Sequence, residues 1–179
     1  METIVISVGG SMINPKTVNI SFLKELKDTI LSFAKNHKIV LCTGGGAICR
    51  DYLRALKDHS ETVQHIIGIQ ATRMNAKLVA LYLQECNQEI PTSEQEIKEL
   101  LKKHNLVISG GLYPGTSSDG ATATIANHLQ ATTLINMTNV DGLFDKDPNK
   151  FKDALFIPKI SHKDFKEIID KKKGEPGQH

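Results

Sequence analysis

The chain has 179 residues, of which 40% are hydrophobic and 23% charged, and these values are ordinary for a globular protein that forms one domain. The formal net charge of +2 is too small to indicate nucleic acid or a membrane surface as a partner. The three cysteines lack disulfide or metal-site spacing, and the seven histidines show no HxxH or HExxH pattern. We find no signal-peptide character and no apolar run near the ~20 residues of a membrane span, so we expect a cytoplasmic protein.

The first part of the chain predicts alternating strands and helices. A β-branched run at residues 3–8 predicts a buried strand, and apolar residues spaced four, four and three apart predict a helix over about residues 21–36. A second strand is predicted over residues 38–43, and a helix over about 47–57 follows it. This order is typical of a parallel sheet with crossover helices.

The second part of the chain continues the same alternation. Pro91 interrupts a long helical pattern, and Ser93 with Glu96 predicts a capping box at the start of the next helix. The predicted elements are, in chain order, helices over about residues 64–86 and 93–103, a strand over 106–109, a helix over 121–129, a strand over 132–138 and a last helix from about 161. Residues 174–179 have a turn-like composition.

Four of the predicted strands end in segments rich in glycine, serine, threonine or asparagine. These segments are VGGS at 8–11, TGGG at 43–46, SGG with LYPGTSSD at 109–119 and TNVDG at 138–142. Ligands of parallel sheets bind outside the carboxyl ends of the strands, and glycine lets backbone N–H groups approach phosphate. The four segments together predict an anionic ligand at one sheet edge, although none matches a Walker A loop or a dinucleotide fingerprint.

Three charged residues lie near these segments. Arg50 is one turn into the helix after the triple glycine, where it can reach the strand ends or simply face solvent. Arg73 belongs to a polar cluster in the long helix, which is either a wall of the site or a subunit contact. Asp119 opens a helix, and it is either an N-cap or a carboxylate that orients a cation or a metal-bound phosphate.

Taken together, the motifs resemble the amino acid kinase superfamily and, within it, the archaeal-type uridylate (UMP) kinases. The resemblance is carried by VGGS, TGGGAICRDY at 43–52, GIQATRMNAKL at 68–78, GGLYPGTSSDGATATIA at 110–126 and TNVDGLFDKDP at 138–148. It implies an open three-layer α/β/α sandwich with a mainly parallel sheet. It also implies phosphoryl transfer from MgATP to UMP, with Mg²⁺ bound through ATP rather than by the protein, and a homohexamer built from dimers.

The resemblance also implies roles for individual residues. Asp119 and Arg50 are the expected catalytic residues. The expected UMP-binding residues are Gly44, His65, Leu112, Tyr113, Pro114, Gly115, Thr116, Ser117 and Ser118. The expected ATP-binding residues are Ser7, Val8, Gly9, Gly10, Ser11, Gly45, Arg50, Thr138, Asn139, Phe144 and Asp147.

Three departures from the resembling family affect these expectations. Ser7 stands where many members have a lysine, and His65 stands where an acidic residue usually contacts the UMP nucleoside. Members also continue for some tens of residues beyond the equivalent of His179. We therefore expect a single domain, residues 1–179, that lacks the family's closing elements and turns over weakly or not at all.

Two alternatives remain open from the sequence. The chain is either a kinase of another small molecule within the superfamily or a non-catalytic protein that binds nucleotides or oxoanions, as molybdenum-storage proteins do. The PGTSSD segment at residues 114–119 argues against another kinase, whereas His65 leaves that alternative open. The absence of metal-rich acidic or histidine clusters argues against storage.

Overall fold

The computed structural model describes residues 1–172, with backbone alone at 168–172; Lys173 and the turn-like residues 174–179 lie outside the described residues. The elements are β1 (Thr3–Val8), α1 (Gly10–Ile13), α2 (Ile20–Phe33), β2 (Lys38–Thr43), α3 (Gly46–Ala55), α4 (Glu61–Leu83), α5 (Glu94–Lys103), β3 (Leu106–Ser109), α6 (Ser118–His128), β4 (Thr133–Met137) and α7 (His162–Lys172). The chain separates into two compact units, Met1–Asn139 and Val140–His179. The single domain expected over residues 1–179 stays a prediction.

The larger unit contains a parallel four-stranded sheet in the order β3-β2-β1-β4. Val5 in β1 pairs with Val40 in β2 and with Leu134 in β4. The inner strands are almost continuously apolar because a parallel sheet with helices on both faces buries both sets of side chains. All four strands point the same way, so their carboxyl ends lie at one edge.

Helices cover both faces of this sheet. On one face, α2 and α4 bury side chains such as Leu26 and Val79 against β1 and β2. On the other face, Ile97 of α5 and Ile125 of α6 pack on the opposite side chains of the strands, and both are fully buried. The predicted three-layer α/β/α sandwich with a parallel sheet is confirmed.

Helix beginnings differ from the predicted ones where a cap was not recognised. The side chain of Asn19 accepts the Phe22 N–H, which starts α2 at Ile20. Ser117 accepts the Gly120 N–H (3.1 Å) and caps α6. The N-cap interpretation of Asp119 is therefore wrong, because Asp119 lies inside the first turn, where a carboxylate meets the positive end of the helix dipole.

The capping box predicted before α5 forms in a modified way. Ser93 accepts the Glu96 N–H (3.2 Å), as expected. The Glu96 carboxylate, however, accepts the N–H of Thr92 (2.7 Å) instead of that of Ser93. This bond is the main reason that the pKa of Glu96 is lowered.

The smaller unit, as far as it is described, contains a short antiparallel bridge and one helix. Phe144 and Phe156 form the bridge, and their rings meet edge to face with centroids 5.4 Å apart. Gly142 lies directly against the Phe156 ring. Among residues 1–172, no helix is long and apolar enough to cross a membrane.

Candidate functional site

Two of the glycine turns donate a backbone hydrogen bond to the last residue of a neighbouring strand. The Gly9 N–H donates to the carbonyl of Met137, the last residue of β4 (2.9 Å). The Gly44 N–H donates to the carbonyl of Val8, the last residue of β1 (2.9 Å). The convergence of the strand ends predicted from the sequence is confirmed.

The first two glycine turns touch through their backbones. A Cβ on Gly10 would lie 2.0 Å from the Gly46 nitrogen, and one on Gly44 would lie 2.5 Å from the Gly10 nitrogen. Gly46 also has a φ of +68°, which disfavours other residue types. The sequence interpretation assigned these glycines to phosphate approach alone; the structure adds a packing reason, because no side chain fits between the two turns.

Polar residues in the middle of α4 form hydrogen bonds with the turns that follow β2 and β3. The Thr43 hydroxyl donates to the Thr72 carbonyl (2.8 Å), and the Thr72 hydroxyl accepts the Gly111 N–H (2.7 Å). The Asn75 side-chain amide donates to the Gly44 carbonyl (2.8 Å). Thr72 and Asn75 are both buried, so these bonds fix the turns at Gly44 and Gly111 to a helix packed on the core. The sequence interpretation missed this role; its only signal was polar residues three positions apart in an apolar helix.

Arg73, in the same cluster, has a partner that the sequence interpretation did not foresee. Its guanidinium donates to the carbonyls of Pro91 (2.8 Å) and Ile90 (2.9 Å), just before α5. A Cβ on Gly110 would lie 2.9 Å from the Arg73 backbone, so β3 ends directly against α4 at this point. Arg73 thus ties the segment before α5 to the helix that holds the turns.

Asp119 is joined to the first strand through Ser7. The Ser7 hydroxyl donates to Asp119 Oδ1 over 2.8 Å. Ser7 is only 2% exposed, whereas Asp119 is exposed. The hydrogen bond therefore holds one oxygen of a solvent-facing carboxylate close to the carboxyl end of β1, beside the glycine turns.

The segment from Leu112 to Ser118 joins β3 to α6, and core packing and helix capping anchor it only near its ends. Leu112 packs in the core, and Ser117 forms the cap of α6. Between them the residues are exposed, and Gly115 adopts a φ of +87°. The Gly115 N–H donates to His65 Nδ1 on α4 (3.1 Å). His65 therefore contacts the backbone of residues 112–118, the acceptor loop, which the sequence analysis expects to bind UMP.

Arg50 lies on α3, where the sequence placed it, and is exposed. Among the described side chains, residues 1–167, no hydrogen bond or ion pair of its guanidinium is present, so its charge can meet an anion. It lies near Cys49, whose thiol pKa is raised by burial, an effect that the Arg50 charge partly offsets.

Comparison with known proteins places this arrangement in a family. The model of the amino acid kinase family matches residues 2–177. The chain belongs to the amino acid kinase family. A uridylate kinase of Thermoplasma volcanium is 37% identical over 165 residues, which are 91% of this chain and 72% of that relative. The crystal structure of uridylate kinase from Archaeoglobus fulgidus is 32% identical with a TM-score of 0.87, covering 95% of this chain and 78% of that one. A structure of isopentenyl phosphate kinase is 15% identical with a TM-score of 0.72, covering 96% and 88%, and bears on the fold alone.

The residues expected around the ATP nucleoside of this amino acid kinase are divided between the two units. Thr138 and Asn139 follow β4 in the larger unit, and their side chains are 3.3 Å apart. In the smaller unit, Phe144 packs on Phe156. Asp147 accepts the Asn149 N–H (2.9 Å), and this bond is the main reason that its pKa is lowered. Their role in nucleoside binding stays a prediction.

Proposed function

We propose that this amino acid kinase is a uridylate kinase, which transfers the γ-phosphoryl group of MgATP to UMP and releases UDP and ADP. The observation that carries the proposal is the hydrogen bond from Ser7 to Asp119 (2.8 Å). It joins the strand that leads into the first glycine turn to the helix that follows the predicted acceptor loop. The similarity to uridylate kinases over nearly the whole chain supports the same substrates.

The reaction that we propose depends on placement more than on covalent chemistry. Phosphoryl transfer requires the attacking and leaving oxygens to lie in line and the charge on the transferring group to be neutralised. We assign UMP to the turn at Gly44 and to Leu112, Tyr113, Pro114, Gly115, Thr116, Ser117 and Ser118. We assign the ATP phosphates to Ser7, Val8, Gly9, Gly10, Ser11, Gly45 and Arg50. The contact between Gly10 and Gly46 supports the assignment, because it brings together the two turns to which we assign the phosphates.

We assign to the Asp119 carboxylate the role of orienting a cation or a metal-bound phosphate during phosphoryl transfer. Mg²⁺ is usually bound through one or two carboxylates together with substrate phosphates and water, so one aspartate at this edge fits MgATP as the substrate. Among the described side chains, residues 1–167, no group of three or more His, Cys, Asp or Glu could hold a metal ion. Arg50 adds a positive charge that does not depend on bound Mg²⁺, because a guanidinium group stays protonated.

The proposal is tested by binding and by UDP formation measured side by side. Calorimetric titration with UMP, CMP, AMP and molybdate should give heat with UMP and none with molybdate. Binding of molybdate without UMP would instead identify an oxoanion-binding protein, and binding of another acceptor without UMP would identify a different kinase. Binding is measured separately so that a change in affinity is distinguished from a change in turnover.

Asp119→Asn tests the assigned catalytic carboxylate. The amide keeps the size of the side chain and can still accept from Ser7, but it carries no charge. We expect UDP formation to fall about 100-fold, as for the loss of one electrostatic group in a transition state, while UMP binding stays within twofold. Asp58→Asn, at an exposed aspartate outside the site, is the matched control and should behave as the wild type. Unchanged turnover in Asp119→Asn would remove Asp119 from the mechanism.

We further propose that the protein works in the cytoplasm as a homohexamer built from dimers. This assembly rests on the resemblance alone, and light scattering of the purified protein tests it. A monomeric mass at micromolar concentration would contradict it.

A further inference from the structure

The loop at residues 113–117 is held by few packing contacts. All five residues are exposed, and Tyr113 has 47% of its surface accessible. A Cβ placed on Gly115 would find no atom within 4 Å. Because packing does not fix this loop, hydrogen bonds from neighbouring elements determine where it lies.

Two side chains outside the loop supply such bonds. His65, on α4, accepts the Gly115 N–H through Nδ1 (3.1 Å). Glu94, the first residue of α5, accepts the Tyr113 hydroxyl through Oε2 (2.6 Å). The bond between the Thr116 hydroxyl and the Tyr113 carbonyl (3.2 Å) stays within the loop and cannot fix its position.

Both supporting helices are themselves well anchored. The buried residues of α4 include Ala76 and Val79, and Ile97 of α5 is fully buried. Arg73 joins the two helices by donating to the carbonyls before α5. The loop is therefore hydrogen-bonded to two helices that are each anchored in the core, and Arg73 links α4 to the segment before α5.

The chemistry of each bond is specific. Nδ1 of histidine accepts a hydrogen bond only in the neutral ring that carries its proton on Nε2. The Glu94 carboxylate forms a charge-assisted bond, which is shorter and stronger than a neutral one. Consistent with this, the bond to Glu94 raises the pKa of Tyr113.

We propose that His65 and Glu94 are positioning residues for the acceptor: they hold residues 113–116 in the shape that receives UMP, and they act through the loop instead of contacting the nucleotide. This inference rests on the proposed function, since it takes UMP as the ligand of the loop. It replaces the expectation that His65 itself binds UMP. A loop that is already ordered binds its ligand without the entropy cost of ordering it, so losing either bond weakens UMP binding.

The His65 bond is tested with a pair of substitutions that differ in one property. His65→Phe keeps a planar ring of similar size and removes the acceptor, whereas His65→Asn keeps an acceptor oxygen near the position of Nδ1. We expect His65→Phe to raise KM for UMP about three- to tenfold, the effect of one neutral hydrogen bond, with kcat and KM for ATP within twofold. We expect His65→Asn to restore KM to within twofold. His59→Phe, at an exposed histidine whose hydrogen bonds are made by its backbone, is the control.

The Glu94 bond is tested in the same way. Glu94→Ala removes the acceptor for the Tyr113 hydroxyl, and Tyr113→Phe removes the donor. We expect each to raise KM for UMP by a similar factor, and the double variant to show no further increase, because the same bond is lost in all three. Additive effects in the double variant would overturn the role assigned to Glu94.

A measurement without nucleotide separates this inference from the proposed function. Hydrogen exchange of the Gly115 amide, followed by NMR in the ligand-free protein, should be at least threefold faster in His65→Phe than in the wild type or in His65→Asn. Equal exchange rates, or a UMP affinity that His65→Phe leaves unchanged, would overturn the inference. Faster exchange together with no UMP binding by the wild type would instead refute the proposed function and confirm the contact that holds the loop.

Discussion

Replacing Gly10 by alanine tests the contact between the two glycine turns most directly. The added Cβ would lie 2.0 Å from the Gly46 nitrogen, 2.6 Å from the Gly44 carbonyl carbon and 2.7 Å from the Gly45 nitrogen. These are backbone atoms, which cannot rotate away as a flexible side chain does. The φ of Gly10 is not in the left-handed region, so the substitution tests the available space and not backbone strain.

The expected cost follows from this overlap. Overpacking a well-packed site costs about 1–3 kcal/mol and occasionally more. Three short contacts with backbone atoms place Gly10→Ala at about 3 kcal/mol or above. For a chain of this length each kcal/mol lowers Tm by about 2–4 °C, so Tm should fall by about 6–12 °C. KM for UMP and KM for ATP should rise together, because the turns assigned to the two nucleotides are forced apart.

Gly68→Ala is the matched control for this experiment. Gly68 lies inside α4, and a Cβ there would meet only the Cys49 sulfur at 3.9 Å, an ordinary contact. Alanine in a helix interior is favoured over glycine by about 1 kcal/mol, so Tm should rise by about 2–4 °C. Thermal unfolding by circular dichroism measures both variants. A Gly10→Ala protein that unfolds within 2 °C of the wild type would refute the described contact between the turns.

Two further substitutions test the bonds that hold the site. Ser7→Ala removes the donor to Asp119. We expect kcat for UDP formation to fall about tenfold with Tm almost unchanged, because water can satisfy the exposed carboxylate. Ser7→Thr, which keeps the hydroxyl, should retain most activity, and an equal loss in both variants would contradict the role of the hydroxyl. Asn75→Asp exchanges the buried donor to the Gly44 carbonyl for an acceptor, which should cost at least about 2 kcal/mol at neutral pH. Only the protonated acid can donate, so the folded state raises the pKa of the new carboxyl, and the loss of stability relative to the wild type should grow as pH rises above about 4. Denaturant unfolding at pH 4 and pH 7 measures this difference, and an equal loss at both pH values would contradict it.

The strands and their convergence could be predicted from the sequence because local patterns determine them. β1, β2 and β3 have the predicted bounds, since β-branched runs that end in glycine or serine leave little choice of start or end. The four-residue helix α1 was missed because so short an element has no periodicity to detect. β4 was predicted one residue too long at each end.

The hydrogen bonds that hold the site could not be predicted, because they join residues far apart in the chain. Asn87 illustrates this: its side chain accepts the Ile108 N–H (2.6 Å) and donates to the Ile108 carbonyl (2.9 Å), so that it completes the pairing of β3 across 21 positions. Nothing near Asn87 in the sequence indicates such a partner. The bonds from Thr72, Asn75 and His65 are of the same kind, since each requires knowledge of which turn lies beside which helix.

The close backbone contact between Gly10 and Gly46 restricts which positions of this enzyme can accept substitutions. Neither turn can gain a side chain without displacing the other, so substitutions that retune one nucleotide position there would also disturb the second. Tyr113, Pro114 and Thr116 carry no such restriction, because their side chains extend from an exposed loop. A search for altered acceptor preference, in the laboratory or among natural variants, should therefore find its changes in that loop and in the two residues that support it, with the glycine turns left intact.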